Sequence, residues 1–185
     1  MKTMTMNMDF SQDRYGIEIE FGSCQADAAI SEYLGIPLSL YCDDPSSQWN
    51  IGYDDSVQTD NLIGYELRTS IWSEFPHETL EKILSKLKNI GTITPTCGLH
   101  FHFSGPSYSG LERENLKFKA TRLFQLSNPH KEREHFCTLY PPVGSRSVLR
   151  QIYKSHWECR CFNGTFEITE IKNNFERMRR VLCQW

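Results

Sequence analysis

The chain has 185 residues, of which 39% are hydrophobic, 12% aromatic and 23% charged, and its formal net charge is −3. This length suits one ordinary domain, and this composition is typical of a globular protein rather than a disordered or fibrous one. The small negative charge gives no general attraction to nucleic-acid phosphate, so we expect no nucleic-acid partner.

The chain shows no targeting or membrane-spanning pattern. Its first residues, MKTMTMNMDF, lack the apolar segment of a secretory signal, and no apolar run is long enough to cross a bilayer. Its seven cysteines form no CxxC pair, which is typical of free thiols in a reducing compartment. We therefore expect a cytoplasmic protein with no membrane partner, built as one domain over residues 1–185 with residues 1–12 flexible.

The hydrophobic spacing predicts strands that alternate with helices. Strand-like alternation covers RYGIEIEFGS at 14–23, QWNIGYDDSV at 48–57, IGYELRTSI at 63–71, GLHFHFS at 98–104 and WECRCF at 157–162. Helical spacing covers a turn at 26–33, the run HETLEKILSKLKNIG after residue 76, and residues 111–127 and 169–182. Prolines predict an irregular region at 128–144. This order of elements predicts an α+β fold, with helices on one face of a mainly antiparallel sheet and a polar face opposite.

Each predicted strand carries two polar side chains that are two residues apart. The pairs are Glu18/Glu20, Asp54/Ser56, Glu66/Arg68, His100/His102 and Glu158/Arg160. Since alternate side chains of a strand share a face, each pair points to one side of the sheet. A single pair is equally typical of the solvated face of any half-buried sheet. Five pairs together favour a site in which carboxylates and imidazole hold magnesium or manganese and arginine contacts phosphate.

The ordered motifs RYGIEIEFGS, WNIGYDDS, GYELRTS, CGLHFHFS and ECRCFNGT resemble those of the amidoligase family, in the broad glutamine synthetase and glutamate–cysteine ligase group. The resemblance covers both ends and the middle of the chain, and it implies a fold like the glutamine synthetase catalytic domain. It also implies that a small-molecule or peptide carboxylate is joined to an amine through an acyl phosphate, with ATP and magnesium as cofactors and manganese as the alternative ion. Asp55 stands where the family often has glycine.

The same resemblance assigns roles to individual residues. The implied metal ligands are Glu18, Glu20, Glu66, His100 and Glu158. His102 would lie near the nucleotide, and Arg160 would act in catalysis by binding phosphate. Asp54 would be the second catalytic residue, by orienting the amine or accepting its proton. In GSRSVLR, Arg146 and Arg150 are candidate phosphate contacts, although exposed surface charges are an equal interpretation of this pair.

Two other functions could use the same face of the sheet. A phosphotransferase would bind the same metal and ATP but form no amide, and a noncatalytic module would bind nucleotide or protein without turnover. Product analysis separates the first from a ligase, and absence of turnover identifies the second. The sequence leaves the oligomeric state open, and an oligomer is compatible with all three functions.

Overall fold

The computed structural model describes residues 14–39, 48–57, 61–104, 113–133, 137–138, 147–153 and 156–183. These residues form a six-stranded antiparallel sheet with four α-helices, which confirms the predicted α+β class. The strands are β1 (Tyr15–Ser23), β2 (Asn50–Tyr53), β3 (Ile63–Arg68), β4 (Gly98–Ser104), β5 (Leu149–Tyr153) and β6 (His156–Asn163). The helices are α1 (Asp27–Leu34), α2 (His77–Ile90), α3 (Arg113–Ser127) and α4 (Ile168–Cys183).

The centre of the sheet is formed by β1 and β4, which are far apart in the chain. The strand order is β2-β3-β1-β4-β6-β5, and every pairing between these strands is antiparallel. In this register Glu18 of β1 lies opposite Arg68 on one side and opposite His100 on the other. The sheet therefore brings polar residues from separate stretches of the chain within side-chain reach of one another.

One face of the sheet forms the hydrophobic core with the helices. Ile17, Ile19 and Phe21 of β1 are at most 1% exposed, and the alternate residues of the neighbouring strands are buried beside them. The helix residues in the same core are Ile30, Leu34, Leu80, Leu84, Leu87, Leu116, Ala120, Leu123, Ile171, Phe175, Met178, Val181 and Leu182. Removal of this apolar surface from water is the main force that holds the helices on the sheet, and it leaves the opposite face for polar groups.

The structure corrects one prediction about the second strand. β2 ends at Tyr53, and the next residues form a turn in which Asp54 Oδ1 accepts a hydrogen bond from Ser56 N at 2.8 Å. The prediction that Asp54 and Ser56 share a strand face is therefore wrong. The physical reason is that an aspartate side chain can bond the backbone two residues on, which favours a turn over a strand.

The structure also adds a strand that the sequence pattern did not predict. β5 has the sequence LRQIY and pairs with β6, with Arg150 opposite Glu158. The strand is short, and its apolar residues Leu149, Ile152 and Tyr153 do not alternate with polar ones. Arg150 therefore lies on an edge strand beside β6 and is not a loop or helix charge.

Part of the predicted irregular region is described, and it contributes one residue to the polar face. A short 3₁₀ turn over Lys131–Arg133 brings in Arg133, which is only 1% exposed. The predictions for residues 1–12 and for Arg146 concern parts of the chain outside the described residues. In the described ranges, no helix has both the length and the apolar content needed to cross a membrane.

Candidate functional site

The face of the sheet opposite the helices carries the charged groups that the sequence pattern grouped in pairs. The side chains concerned are Glu18, Glu20, Glu66, Arg68, His100, His102, Glu158 and Arg160. All of them except Glu20 line a cavity of about 580 Å³, together with Asp54 and Arg150. This volume lies within the range of about 300–1,000 Å³ that is usual for ligand pockets. The structure therefore gathers nearly all of the described candidate residues around one cavity.

Three of these side chains, from three adjacent strands, form a cluster that could hold a metal ion. Glu18, His102 and Glu158 each offer one ligand atom, and these atoms lie within 4.8 Å of one another. His102 Nε2 lies 3.1 Å from Glu18 Oε1, so two of the candidate ligand atoms are already next to each other. Carboxylates with one imidazole suit magnesium or manganese, so the donor set fits a divalent cation.

His100 lies between this cluster and Glu20, and its ring contacts three carboxylates. Nδ1 is 3.2 Å from Glu18 Oε2 and 3.2 Å from Glu158 Oε1, while Nε2 is 3.1 Å from Glu20 Oε1. Burial alone would lower the pKa of His100, but the charge of Glu20 and hydrogen bonds to Glu18 and Glu20 raise it to about 9. Burial would raise the pKa of Glu20, but His100 and nearby arginines lower it to about 2. In the metal-free protein His100 is therefore an imidazolium among carboxylates.

His102 makes a second contact, to a histidine that the sequence pattern did not single out. Its Nδ1 is 2.8 Å from His156 Nε2. Burial alone would lower the pKa of His102, but the charge of Glu18 raises it, whereas burial and the charge of His102 lower the pKa of His156. The proton therefore stays on His102, and His156 Nε2 accepts the hydrogen bond from His102 Nδ1. The sequence could have identified His156 as a residue of this face, because it lies two residues before Glu158 on the same strand.

Glu20 has its own set of partners on the far side of His100. Its Oε2 accepts hydrogen bonds from the backbone N–H of Gly98 and, at 3.2 Å, from Arg133 Nη1. The guanidinium of Arg133 also donates to the carbonyl oxygens of Thr96, at 2.9 Å, and Arg160, at 3.0 Å. Glu20 is 2% exposed and is not among the described residues that line the cavity. The two glutamates of β1 therefore lie in different surroundings.

Arg68 forms a second charged group, at the β2 side of the cavity. It makes ion pairs with Glu66 and, at 3.6 Å from its Nε to Oε1, with Glu18, and its Nη1 donates to Asn50 Oδ1 at 3.3 Å. A Cβ atom on Gly52 would lie 3.0 Å from Arg68 Nη1, so glycine leaves room for the guanidinium to cross β2. The sequence pattern included Arg68 in a strand pair but gave it no function. In the structure it neutralises Glu66.

Two arginines on the β6 side of the cavity flank Glu158. Arg150 Nη1 and Arg160 Nε are each 3.5 Å from a Glu158 carboxylate oxygen. The strand bulges at this point, because Arg160 and Cys161 together oppose the single residue His100. Arg160 lines the cavity because it lies two residues after Glu158 and therefore on the same face of β6. The predicted phosphate contacts Arg150 and Arg160 therefore lie beside the cation cluster.

The predicted amine-binding residue, Asp54, reaches the cavity from the turn that follows β2. It is half-buried, and burial followed by the charge of Glu20 raises its pKa. Asp55, which is exposed, and Ser56 line the cavity beside it. The tight packing of this turn against β3 depends on Gly64, because a Cβ there would overlap the Asp54 carbonyl oxygen. Asp54 is thus positioned by the loop and not by a strand.

Comparisons with protein-family models, curated proteins and solved structures gave no match for this chain. The charges of the site can nevertheless be counted from its own geometry. The ion-paired groups are four glutamates and four arginines, namely Glu18, Glu20, Glu66, Glu158, Arg68, Arg133, Arg150 and Arg160. Asp54, Asp55 and Arg14 also line the cavity, which makes six carboxylates and five guanidinium groups. Without the histidines their formal charge is −1, and one bound divalent cation would change it to +1. A polyanion such as a nucleotide triphosphate would then be attracted to the cavity.

Proposed function

We propose that the chain is an ATP-dependent carboxylate–amine ligase of the cytoplasm, with a catalytic sheet of the glutamine synthetase type. The observation that carries the proposal is the cluster of Glu18, His102 and Glu158 on the wall of a cavity that Arg150 and Arg160 also line. A divalent cation next to guanidinium groups is the combination that phosphoryl transfer requires. The order of the sequence motifs independently supports the same family.

The cation would be held by Glu18, His102 and Glu158, and bound magnesium would neutralise charge on the phosphates of ATP. His100 supports this set because its Nδ1 contacts both carboxylates, at 3.2 Å in each case. The resemblance placed His102 near the nucleotide. We add it to the ligand set because it belongs to the cluster with Glu18 and Glu158. Both roles are compatible with one position, because a metal-bound triphosphate lies against the ligands of its metal.

The arginines would bind and orient the transferred phosphoryl group. A carboxylate oxygen of the first substrate attacks the γ-phosphorus, the bond to the β-phosphate oxygen breaks, and ADP leaves with that electron pair. Arg160 and Arg150 can donate parallel hydrogen bonds to the phosphoryl oxygens as this charge develops. The product of this half-reaction is an acyl phosphate, which must be protected from water. The cavity would supply that protection.

The second half-reaction would use Asp54. The amine nitrogen attacks the acyl carbon, the acyl–phosphate bond breaks, and inorganic phosphate leaves. The attacking amine must lose a proton, and a half-buried carboxylate with a raised pKa is a suitable acceptor. The substrates would be a small-molecule or peptide carboxylate and an amine that fit a cavity of about 580 Å³ together with the phosphates.

Thermal unfolding tests whether metal and nucleotide bind together. The magnesium–ATP complex, added at about 100 times its dissociation constant, should stabilise the fold by about 2.7 kcal/mol, or about 5–10 °C. We expect Glu158→Gln to abolish the rise in Tm that magnesium and ATP cause together, because the substitution removes the charge of one metal ligand. The rise is measured from the Tm of the ligand-free variant. Glu81→Gln, an exposed glutamate of α2, is the matched control and should keep the full shift.

Product analysis then separates the three functions. Incubation with ATP, magnesium and panels of carboxylates and amines should yield an amide together with ADP and inorganic phosphate. A stable phosphorylated acceptor without an amide would indicate a phosphotransferase instead. Joint stabilisation without any ATP consumption would indicate a noncatalytic binding module, and the absence of joint stabilisation would contradict the metal–nucleotide site itself.

A further inference from the structure

Both carboxylate oxygens of Glu20 are already bound by groups of the protein. Oε2 accepts hydrogen bonds from Gly98 N and Arg133 Nη1, and Oε1 lies 3.1 Å from His100 Nε2. Glu20 and Glu158 are equally buried, at 2% exposed, but of the two only Glu158 appears among the described residues that line the cavity. A divalent cation would have to lose its water and displace these donors to reach Glu20, which is unfavourable.

Arg133 is anchored independently of Glu20. Its guanidinium donates to the carbonyl oxygens of Thr96 and Arg160, which hold it at the junction of β4 and β6. Gly98 leaves the room for it, because a Cβ atom at that position would overlap the guanidinium. Guanidinium stays protonated over the whole physiological pH range, so a permanent positive charge lies against Glu20.

The imidazole of His100 separates this ion pair from the candidate cation cluster. Its Nδ1 faces Glu18 and Glu158, whereas its Nε2 faces Glu20. Glu20 and Glu18 therefore lie on opposite sides of one ring, although they are two residues apart on the same strand face. An ion bound by Glu18 and Glu158 has no short route to Glu20 unless His100 reorients.

We propose that Arg133 serves as a built-in cation for Glu20, so that Glu20 binds no metal and the described part of the polar face holds a single divalent cation through Glu18, His102 and Glu158. The inference rests on the proposed function for the existence of that cation. It differs from what the family resemblance implies, because the resemblance makes Glu20 a metal ligand. Glu66 also has an arginine partner, Arg68, although Glu66 lines the cavity and this arginine contacts Glu18 as well. In this chain Arg68 and Arg133 supply positive charge that a second metal ion would otherwise supply.

Counting bound manganese on the unaltered full chain tests the inference without any substitution. Mn²⁺ is titrated into the nucleotide-free protein, and free Mn²⁺ is measured by its electron paramagnetic resonance signal. We expect one ion per chain. Two or more ions of similar affinity would overturn the inference and leave the proposed function standing. No bound ion would overturn both, because the cation cluster itself would then be refuted.

A pair of variants shows which carboxylates hold the ion. The double substitution Glu20→Gln with Arg133→Gln removes both charges together, so that neither is left buried without its partner. We expect this protein to keep its Mn²⁺ with an affinity within about threefold of the original, whereas Glu158→Gln should lose more than about tenfold. Loss of the ion from the folded double variant would overturn the inference. If the double variant does not fold, the count on the unaltered chain still decides.

Discussion

At the scale of single residues, glycines on the polar face determine where the buried arginines lie. Gly52 leaves room for Arg68, and Gly98 leaves room for Arg133. Arg68 pairs with Glu66, and Arg133 pairs with Glu20. Both glutamates were predicted from the sequence to be metal ligands. The absence of a side chain is therefore as important to the charge distribution of this face as the charged groups themselves.

Gly98→Ala is expected to destabilise the protein by about 1–3 kcal/mol, because the new methyl group overlaps the Arg133 guanidinium in a closely packed site. The measurement is the free energy of unfolding in urea. Gly16→Ala is the matched control on the same face, since its Cβ would lie 3.6 Å from the nearest atom, His102 Cβ, and the change should stay within about 0.5 kcal/mol. Equal effects of the two substitutions would show that Gly98 does not accommodate Arg133.

At the scale of elements, strand and helix periodicity identified every strand except β5 and all four helices in the described chain. The elements found were those with a regular apolar pattern, as in β1 and α2, because burial of one face imposes that spacing. The end of β2 and the short strand β5 escaped prediction because they depend on a turn hydrogen bond and on a neighbouring strand. The bulge of β6 opposite His100 likewise depends on pairing with β4.

α4 is the helix that supports the centre of the sheet, through Phe175. Its ring contacts Tyr15 and Trp72 with centroids 4.9 Å apart in each pair, and Phe101 at 5.8 Å. These contacts lie directly behind β1 and β4, the strands that carry Glu18, His100 and His102. Packing of this helix therefore holds the two central strands in register.

Phe175→Ala should lower the free energy of unfolding by about 3–5 kcal/mol, because it opens a cavity in an aromatic cluster. The matched control is Phe118→Ala on α3, where the side chain is 62% exposed and the expected change is within about 0.5 kcal/mol. Urea unfolding of both variants measures the difference. A loss of less than 1 kcal/mol for Phe175→Ala would contradict the assignment of this ring to the core, as judged by the usual range of about 3–5 kcal/mol.

At the scale of the whole molecule, the sheet separates an apolar half from a polar half that contains ion pairs. The four glutamates and four arginines of these ion pairs come from the first, middle and last parts of the chain. Within this half, Glu20 and His100 are buried and have shifted pKa values, so their protonation is coupled to folding. The pH dependence of stability therefore reports on this pair.

In the metal-free protein we expect the Glu20–His100 pair to stabilise the fold most strongly between pH 4.5 and 6.5. The pKa of Glu20 falls on folding from 4.5 to about 2, so its contribution is present above pH 4.5 and is lost towards pH 2. The pKa of His100 rises from 6.5 to about 9, so its contribution is present below pH 6.5 and is lost towards pH 9. Each shift corresponds to about 3 kcal/mol.

Urea unfolding in the presence of a chelator, from pH 3 to pH 9, measures this dependence. Glu20→Gln is the comparison, because it removes the ionisable partner but nearly keeps the shape. The difference in unfolding free energy between the two proteins should narrow below pH 4.5, where Glu20 of the unaltered chain begins to take up a proton on unfolding. A difference that is constant from pH 3 to pH 9 would contradict the pairing of Glu20 with His100.

The sequence by itself determined the α+β class, most elements and the two faces of the sheet, because these follow from local alternation of apolar and polar residues. It also selected Glu18, His100, Glu158 and Arg160 as residues of one face. Only the tertiary structure decided which carboxylates lie together and which have arginine partners. The reason is that strand order, the β6 bulge and the approach of Arg133 depend on contacts between distant parts of the chain. The local spacing of apolar and polar residues does not determine those contacts.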